Sequence, residues 1–404
     1  MANFIGTPSV STVGTFSLGG NDLIREVARD VTTYDRESSP LTSFLSQTKG
    51  RLKPTSQTTF EWQEQQYDYG TNVVTASIVG GNPTENVIVS SPTVVVGDAF
   101  FEATSGQYFV THAVVSRTST TSTVTLMLFP TGSNIAAVTG PYTLVSCGNI
   151  LVEGGYYPDA RGTRPTFKSN SITSTSYSVD ITEEMMYSPT YYGNKFQMDK
   201  EAAITQFRCD MERNVLFGQY FVATGYTQAS VNGSFTGTLR GTRGVINTVD
   251  PGNVQTFSGS LTESKFDTFL RTAVWNNKYS GSSTKIGLFG PDAALDLNQF
   301  VKDKVRVLQM GRQAYGIDIA QYTLFGNFKI LVMLEKEFWE VAPYKHGILV
   351  VDPKFIWLRQ FGPNFMEVKD TSLPRQAGHS IALSSRYGVE ARFATSHAIL
   401  KNPN

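Results

Sequence analysis

The sequence predicts an α+β protein that carries a separate small β-barrel or sandwich, and three observations predict it. Apolar residues recur at helical spacing in only a few segments, the longest being 194–217. Elsewhere short or alternating apolar runs are bounded by Gly, Pro, Ser and Thr, as strands are. Residues 69–152 hold only Glu85, Asp98, Glu102 and Arg117 as charges, against 17% charged residues in the whole chain, so a distinct module lies there. The 404 residues exceed one ordinary core, and 40% hydrophobic with 12% aromatic residues is enough apolar surface for a packed protein.

Residues 1–20 scatter Phe4, Ile5, Val10, Val13, Phe16 and Leu18 among Gly, Ser and Thr without helical spacing, which predicts an extended arm tied down by a partner chain. Asn21 can cap a short helix through Ile24, Val27, Ala28 and Val31, and Pro40 reads as its interruption. Thr58 to Tyr67 alternates bulky and polar residues as a half-buried strand does, and the strand-like stretch Phe167 to Ile181 can pair with it. The module between them would then sit at the tip of a long hairpin. Its expected strands are 86–90, 93–96, 107–115, 123–129 and 142–147, with the Thr/Ser tract 116–123 as a hairpin turn.

Over 194–217, Phe196, Lys200, Ala203, Ile204, Phe207, Met211 and Val215 track one helical face, giving a helix of roughly 35 Å with Gly218 at its end. Ser260 and Glu263 form a capping box for a helix that buries Phe266, Phe269, Leu270, Ala273 and Val274. A strand over 285–289 leads through Gly290 into a helix with Pro291 in its first turn. From Val305 onward strands are expected over 328–334, 347–351, 355–358, 380–384 and 388–394.

Catalytic patterns are missing from the sequence. The four histidines have no metal-ligand spacing, the glycines of 237–244 match no phosphate loop and read as loop or turn, and no GxSxG elbow occurs. Cys147 and Cys209 cannot build a disulfide framework or a four-thiolate zinc site, which points to a reducing compartment, and Cys209 reads as a packed or half-exposed helical thiol. Glu183 with Glu184 and Glu335 with Glu337 read as solvated pairs. The aromatic stretches 337–344 and 355–361 read as core or subunit contact. With 34 basic against 34 acidic residues no global field favours nucleic acid, and the small cluster Lys49, Arg51, Lys53 reads as a solvated loop. Neither a signal peptide nor an apolar run of membrane-spanning length is present, so no membrane partner is expected.

The order of arm, short helix, long hairpin, long helix, α/β unit and returning strands resembles the tailed-phage major capsid fold, the Hong Kong 97 fold. The closer resemblance is to podophage-type major head proteins with a β-domain inserted in the E-loop. It rests on RESSPLTSFL (36–45), FEWQEQQ (60–66), SYSVDITEEM (176–185), MERNVLFGQ (211–219), LRGTRGVIN (239–247) and KIGLFGPDAALDLNQF (285–300). The resemblance implies an N-terminal arm (1–20), an N-terminal helix region (21–51) and an E-loop (52–68 and 163–181) bearing an inserted β-domain (69–162). It further implies a P-domain (182–257 and 346–404) with spine helix 194–217, and an A-domain (258–345).

It also implies a structural protein with no enzymatic activity and no cofactor, assembled in the bacterial host cytoplasm into hexamers and pentamers of an icosahedral head enclosing double-stranded DNA. A scaffolding protein, a portal and a decoration protein are the implied partners, with nonspecific contact to the packaged DNA. Phe4, Ile5, Phe16, Trp62, Tyr67, Phe167 and Tyr177 are the candidate inter-subunit contacts, each with packing inside its own chain as the alternative. Another virion protein such as a tail or decoration protein, a nanocompartment shell, and a carbohydrate-binding or hydrolytic β-protein are the other readings.

Overall fold

The computed structural model describes residues 39–65, 71–74, 82–102, 104–129, 135, 142–159, 165–187, 195–230, 233–275, 281–302, 312–314, 317–323, 328–372 and 377–403. The expected arm, with Phe4, Ile5 and Phe16, the helix expected after Asn21, and Tyr67 lie outside these residues.

The first described helix is α1 (Pro40–Gln47). Pro40 opens it and does not interrupt one, because a residue without an N–H and with φ already set suits the first helical turn. Strands β1 (Leu52–Thr55) and β2 (Thr59–Glu64) follow. Next come β3 (Thr71–Val74), β4 (Thr84–Val89), β5 (Asp98–Glu102), β6 (Tyr108–Arg117), β7 (Ser122–Phe129) and β8 (Tyr142–Asn149). These six close into a barrel in the order β3-β4-β7-β6-β5-β8. Strict alternation along β7 sends Val124, Leu126 and Leu128 inward to meet Val87, Val89, Phe100, Phe109 and Leu144. The stretch 93–96 is a turn and not the expected strand, although Val94 and Val95 are buried. Gly97, at φ +86, redirects the chain there and gives its N–H to the Thr111 carbonyl at 2.9 Å.

The chain returns as β9 (Thr166–Ser171) and β10 (Thr173–Thr182), then forms α2 (Glu183–Tyr187) and the long helix α3 (Lys195–Phe217). β9 pairs antiparallel with β2, Thr59 opposite Ser171. The single strand expected over 167–181 is broken at buried Ile172, and β10 pairs instead with a strand near the C-terminus. After α3 come β11 (Phe221–Ser230), β12 (Gly233–Gly241), β13 (Val254–Thr256) and α4 (Glu263–Phe269), the last continued by a wider π turn over Leu270–Val274. The segment 237–241, expected as loop, is the end of β12. The N-cap of α4 is Thr262 and not Ser260; its hydroxyl accepts from Lys265 N, so Glu263 falls at the first helical position.

The remaining elements are β14 (Thr284–Phe289), α5 (Pro291–Lys302), β15 (Arg312–Ala314), β16 (Ile317–Thr323), β17 (Lys329–Leu334) and α6 (Ala342–Lys345). They are followed by β18 (Ile348–Val351), β19 (Ile356–Phe361), β20 (Glu367–Asp370), β21 (Gly378–Ala391) and β22 (Ala398–Lys401). The two strands expected over 380–394 are thus one strand of 14 residues.

Two sheets organise these parts. One runs β1-β19-β21-β10, with β20 also on β21; the other runs β13-β22-β18-β14-β17-β16-β15. Beneath the first, α3 places Phe207, Met211, Val215 and Leu216 against Leu41 and Leu45 of α1 and against Ile356, Leu358, Leu383, Tyr387 and Val389. β18 sends Leu349 and Val351 into this core and Ile348 and Val350 into a second one, with Phe266, Phe269, Leu270, Phe289 and Ile330. Burial on both faces explains why β18 reads as an unbroken apolar run. Gly290 joins β14 to α5 where a Cβ would collide with the carbonyl oxygens of Tyr344 and Lys345.

Candidate assembly interface

The base of the β2–β9 hairpin is clamped from both sides. Phe60, Trp62 and Ile172 form a small buried cluster, Phe60 and Trp62 stacked at 6.0 Å. Trp62 Nε1 donates to Glu64 Oε1 at 2.7 Å, and the same oxygen accepts from Phe393 N at 3.0 Å. Phe393 is the one non-glycine residue with positive φ (+52) among the described residues, so Glu64 ties the hairpin to a strained corner just past β21. On the other strand buried Asn170 donates to the carbonyls of Arg243 (3.1 Å) and Val389 (2.7 Å) and accepts from Arg243 N (2.8 Å). Ser171 Oγ donates to the Gly241 carbonyl at 2.6 Å. Hydrogen-bonded polar groups hold the hairpin root, while its outer strand surface stays bare: Phe167 is 66% exposed and Tyr177 on β10 is 40% exposed.

A second fastening is acidic. Glu212 lies on the core face of α3, and its two carboxylate oxygens accept from Leu41 N and Thr42 N at 2.8 Å each. These are unpaired N–H groups of the first turn of α1, so a buried carboxylate does the work of a cap and meets the positive end of the helix. Glu335, fully buried after β17, sits against Glu212 and accepts from Glu337 N at 3.1 Å. Burial, and next the Glu212 charge, hold the Glu335 carboxyl well above the usual range, and burial raises Glu212 too, so of the pair Glu335 is the more readily protonated. Buried Glu337 is paired with Arg213 Nε at 2.5 Å. The reading of Glu335 and Glu337 as solvated is thereby corrected: partners more than 100 residues away in sequence bury them, whereas Glu183 and Glu184 are exposed as expected.

A third buried group joins the strands. His397 Nδ1 accepts from Asp352 N and its Nε2–H donates to the Arg392 carbonyl, both at 3.2 Å. Burial, reinforced by nearby Lys285, lowers its pKa to about 3, so it stays neutral. The Lys285 ammonium in turn donates to the Ser396 and Val274 carbonyls at 2.9 and 3.2 Å. All these titratable groups are spent on packing.

The exposed surface is where the chain has unused chemistry. β11 and β12 form a two-stranded ribbon on which Phe221, Val222, Tyr226, Phe235 and Leu239 are exposed. Such a ribbon is marginal without a partner. Of the expected contact residues, Phe167 and Tyr177 are surface residues, while Trp62 is 8% exposed and packed in its own chain. Hydrophobic alternation could not find the ribbon, since neither face is buried; its aromatic residues without a periodic face were the available signal. Of the two readings left open for Cys209, packed or half-exposed, the structure has it buried; Cys147 is exposed.

A profile of the SU10 major capsid protein family matches residues 9–404. No curated protein sequence matches the chain. Among solved structures it is similar to the capsid of Myoviridae phage XM1, at 10% identity over 96% of this chain and 100% of that one, with a TM-score of 0.46. It is similar to the capsid of cyanophage P-SCSP1u at 12% identity over the whole of both chains, TM-score 0.43. It is also similar to the holo-SrpI encapsulin complex of Synechococcus elongatus, at 14% identity over 59% of this chain and 77% of that one, TM-score 0.38.

Proposed function

We propose, from the premise that the chain belongs to the SU10 major capsid protein family, how its parts build a shell. The chain is a major capsid protein: it self-assembles into the icosahedral head of a tailed phage, and its place is the virion capsid. The match to all but the first eight residues carries this assignment.

The finer reading is ours. The chain forms hexamers and pentamers, and the strands of 52–68 and 163–181 act as an E-loop laid across a neighbouring copy. The barrel of β3–β8 is the β-domain inserted in that loop and braces adjacent capsomers, in the manner of podophage-type head proteins. Residues 1–20 act as the arm, 21–51 as the N-terminal helix region, 182–257 with 346–404 as the P-domain, and 258–345 as the A-domain around the local symmetry axes. Phe167 and Tyr177, together with Phe4, Ile5, Phe16 and Tyr67, are contact residues; Trp62 serves by holding the loop's root. A separate scaffolding protein directs closure, a portal and a decoration protein complete the head, and the inner face meets double-stranded DNA nonspecifically. The rigid hairpin root beside bare outer residues supports this reading, because heterologous contacts between identical chains need a fixed projecting element and an open receiving face. The role is architectural, with no catalytic step.

The test is expression with and without the scaffolding protein, followed by negative-stain microscopy and mass measurement. Rings of five or six copies or closed shells are expected; a stable monomer under every condition would overturn the arrangement.

A further inference from the structure

Strand alternation gathers an unusual charge cluster on the outer face of the first sheet. β1 pairs in parallel with β19, setting Lys53 beside Arg359, and β19 pairs with β21, setting Trp357 beside Glu390. Leu52, Ile356 and Leu358 point into the core, so Arg51, Lys53, Trp357 and Arg359 share the opposite face, which Arg392 joins just beyond β21. Lys53 Nζ lies 4.0 Å from the Trp357 ring centre, with the guanidinium carbons of Arg392 and Arg51 at 4.9 and 5.6 Å.

Glu390 is the carboxylate at the centre of this face, and it is fully buried and already bonded by Arg359 and Arg392. Glu64 is committed to Trp62 and Phe393, and Asp352, whose charge acts on Arg51, to backbone N–H groups of Ser282 and Lys354. Arg51 gives one long bond to the Ile356 carbonyl, at 3.4 Å, and neither Arg51 nor Lys53 forms an ion pair among the described residues. The face therefore presents an aromatic ring and surplus positive charge at a sheet edge.

The opposite chemistry is displayed on the segment that leaves the barrel. Residues 151–159 are all exposed, with Tyr156 at 98%, Tyr157 at 90% and Val152 at 77%, alongside Glu153 and Asp159. Its backbone bonds among the described residues are Ile150 N to the Gly97 carbonyl, where it departs the barrel, and a Gly155 N to Val152 carbonyl turn, both 2.8 Å. Two tyrosines bare to this degree flanked by carboxylates suit a cationic, aromatic receptor.

We infer that residues 150–159 of one copy dock on the Arg51, Lys53, Trp357, Arg359 and Arg392 face of a neighbouring copy. Glu153 and Asp159 meet Arg51 and Lys53, and a tyrosine ring lies against the cation–aromatic stack. This rests on the proposed crossing of the E-loop onto a neighbour and names the receiving surface. The occupant is a second copy because the shell is built from copies of this chain and the two surfaces complement each other in charge.

Charge reversal tests it on the full chain assembled with its scaffolding protein. Lys53→Glu and Glu153→Lys, each checked for native circular dichroism, should lower the yield of closed shells roughly tenfold, and the two together should restore most of it. In a Cys147→Ser background, Tyr157→Cys with Lys53→Cys should give disulfide-linked dimers and higher ladders in shells and none in unassembled subunits. Wild-type shell yield in either single variant, or a double variant as defective as the singles, overturns the pairing and leaves the capsid reading standing. So does a Lys53→Glu shell that closes normally and loses only packaged DNA, which would assign the face to phosphate. A wild-type chain that never assembles with its scaffold overturns both.

Discussion

Glu335→Gln tests the acid pair that fastens α1 to the long helix. Both oxygens of Glu212 already accept backbone N–H bonds at 2.8 Å, so a second buried carboxyl facing it is favoured in its neutral form. Burial, then the Glu212 charge, raise the Glu335 pKa well above its unfolded value of about 4.3. A raised folded pKa means the native state binds the extra proton, so its stabilisation is complete below the unfolded pKa. It is lost as pH rises from there through the folded value, at about 1.4 kcal/mol per unit of separation. Glutamine donates through its amide N–H where a protonated carboxyl donates through O–H, and it does not titrate. Glu335→Gln is therefore expected to stabilise the subunit at neutral to mildly alkaline pH by about 1–3 kcal/mol and to flatten this decline. Glu212→Gln does the reverse: its amide sets a donor against one of two N–H donors and removes the charge, costing about 2–3 kcal/mol. Urea unfolding of unassembled subunits, followed by tryptophan fluorescence between about pH 5 and 9, reads both effects. A Glu335→Gln variant as destabilised as Glu212→Gln, or one that keeps the wild-type pH slope, would refute the protonation of Glu335.

Other outcomes follow from the same geometry. Phe393→Gly relieves the left-handed backbone at φ +52 but removes a ring set edge-to-face against Phe355 at 4.9 Å. Phe393→Asn, which tolerates that conformation, should show the same loss of packing as Phe393→Gly in a thermal melt if the ring is what matters. Asn170→Ala strips three long-range bonds from a buried site and should cost about 3 kcal/mol; protease nicking at the hairpin root should rise with it. Phe167→Ser with Tyr177→Ser should leave the melting temperature nearly unchanged and reduce particle yield, since both side chains are exposed in the single chain. Replacing residues 69–162 by a short linker should leave a foldable body and weaken particles; particles of wild-type stability on heating would remove the bracing role.

The parts read correctly from sequence are those whose partner is local or whose burial is one-sided. The long helix repeats its apolar face within itself, and Phe266, Phe269, Leu270, Ala273 and Val274 fall inside as their spacing requires. The barrel strands are bounded by their own turns, with 118–121 closing β6 onto β7. What escaped depended on distant residues. Glu212 is polar in an apolar stripe because Leu41 and Thr42, about 170 positions earlier, bring their N–H groups to it. Glu335 and Glu337 look like a surface pair until Glu212 and Arg213 arrive from another element. Arg51 and Lys53 read as a solvated loop because their ring, Trp357, lies about 300 residues on. The β11–β12 ribbon has no buried face at all, and so no period to detect.

The parallel pairing of β1 with β19 also sets a clock. Leu52 lies opposite Leu358, about 300 residues later, and at ribosomal rates of about 5–20 residues per second the first strand waits roughly 15 to 60 s for its mate. The barrel, complete by Asn149, can form on the emerging polypeptide long before the two main sheets can. A nascent chain therefore carries a finished satellite on an unfinished body. The receiving face that needs Trp357, Arg359 and Arg392 comes into existence only once residue 392 has been made, so shorter nascent chains lack it.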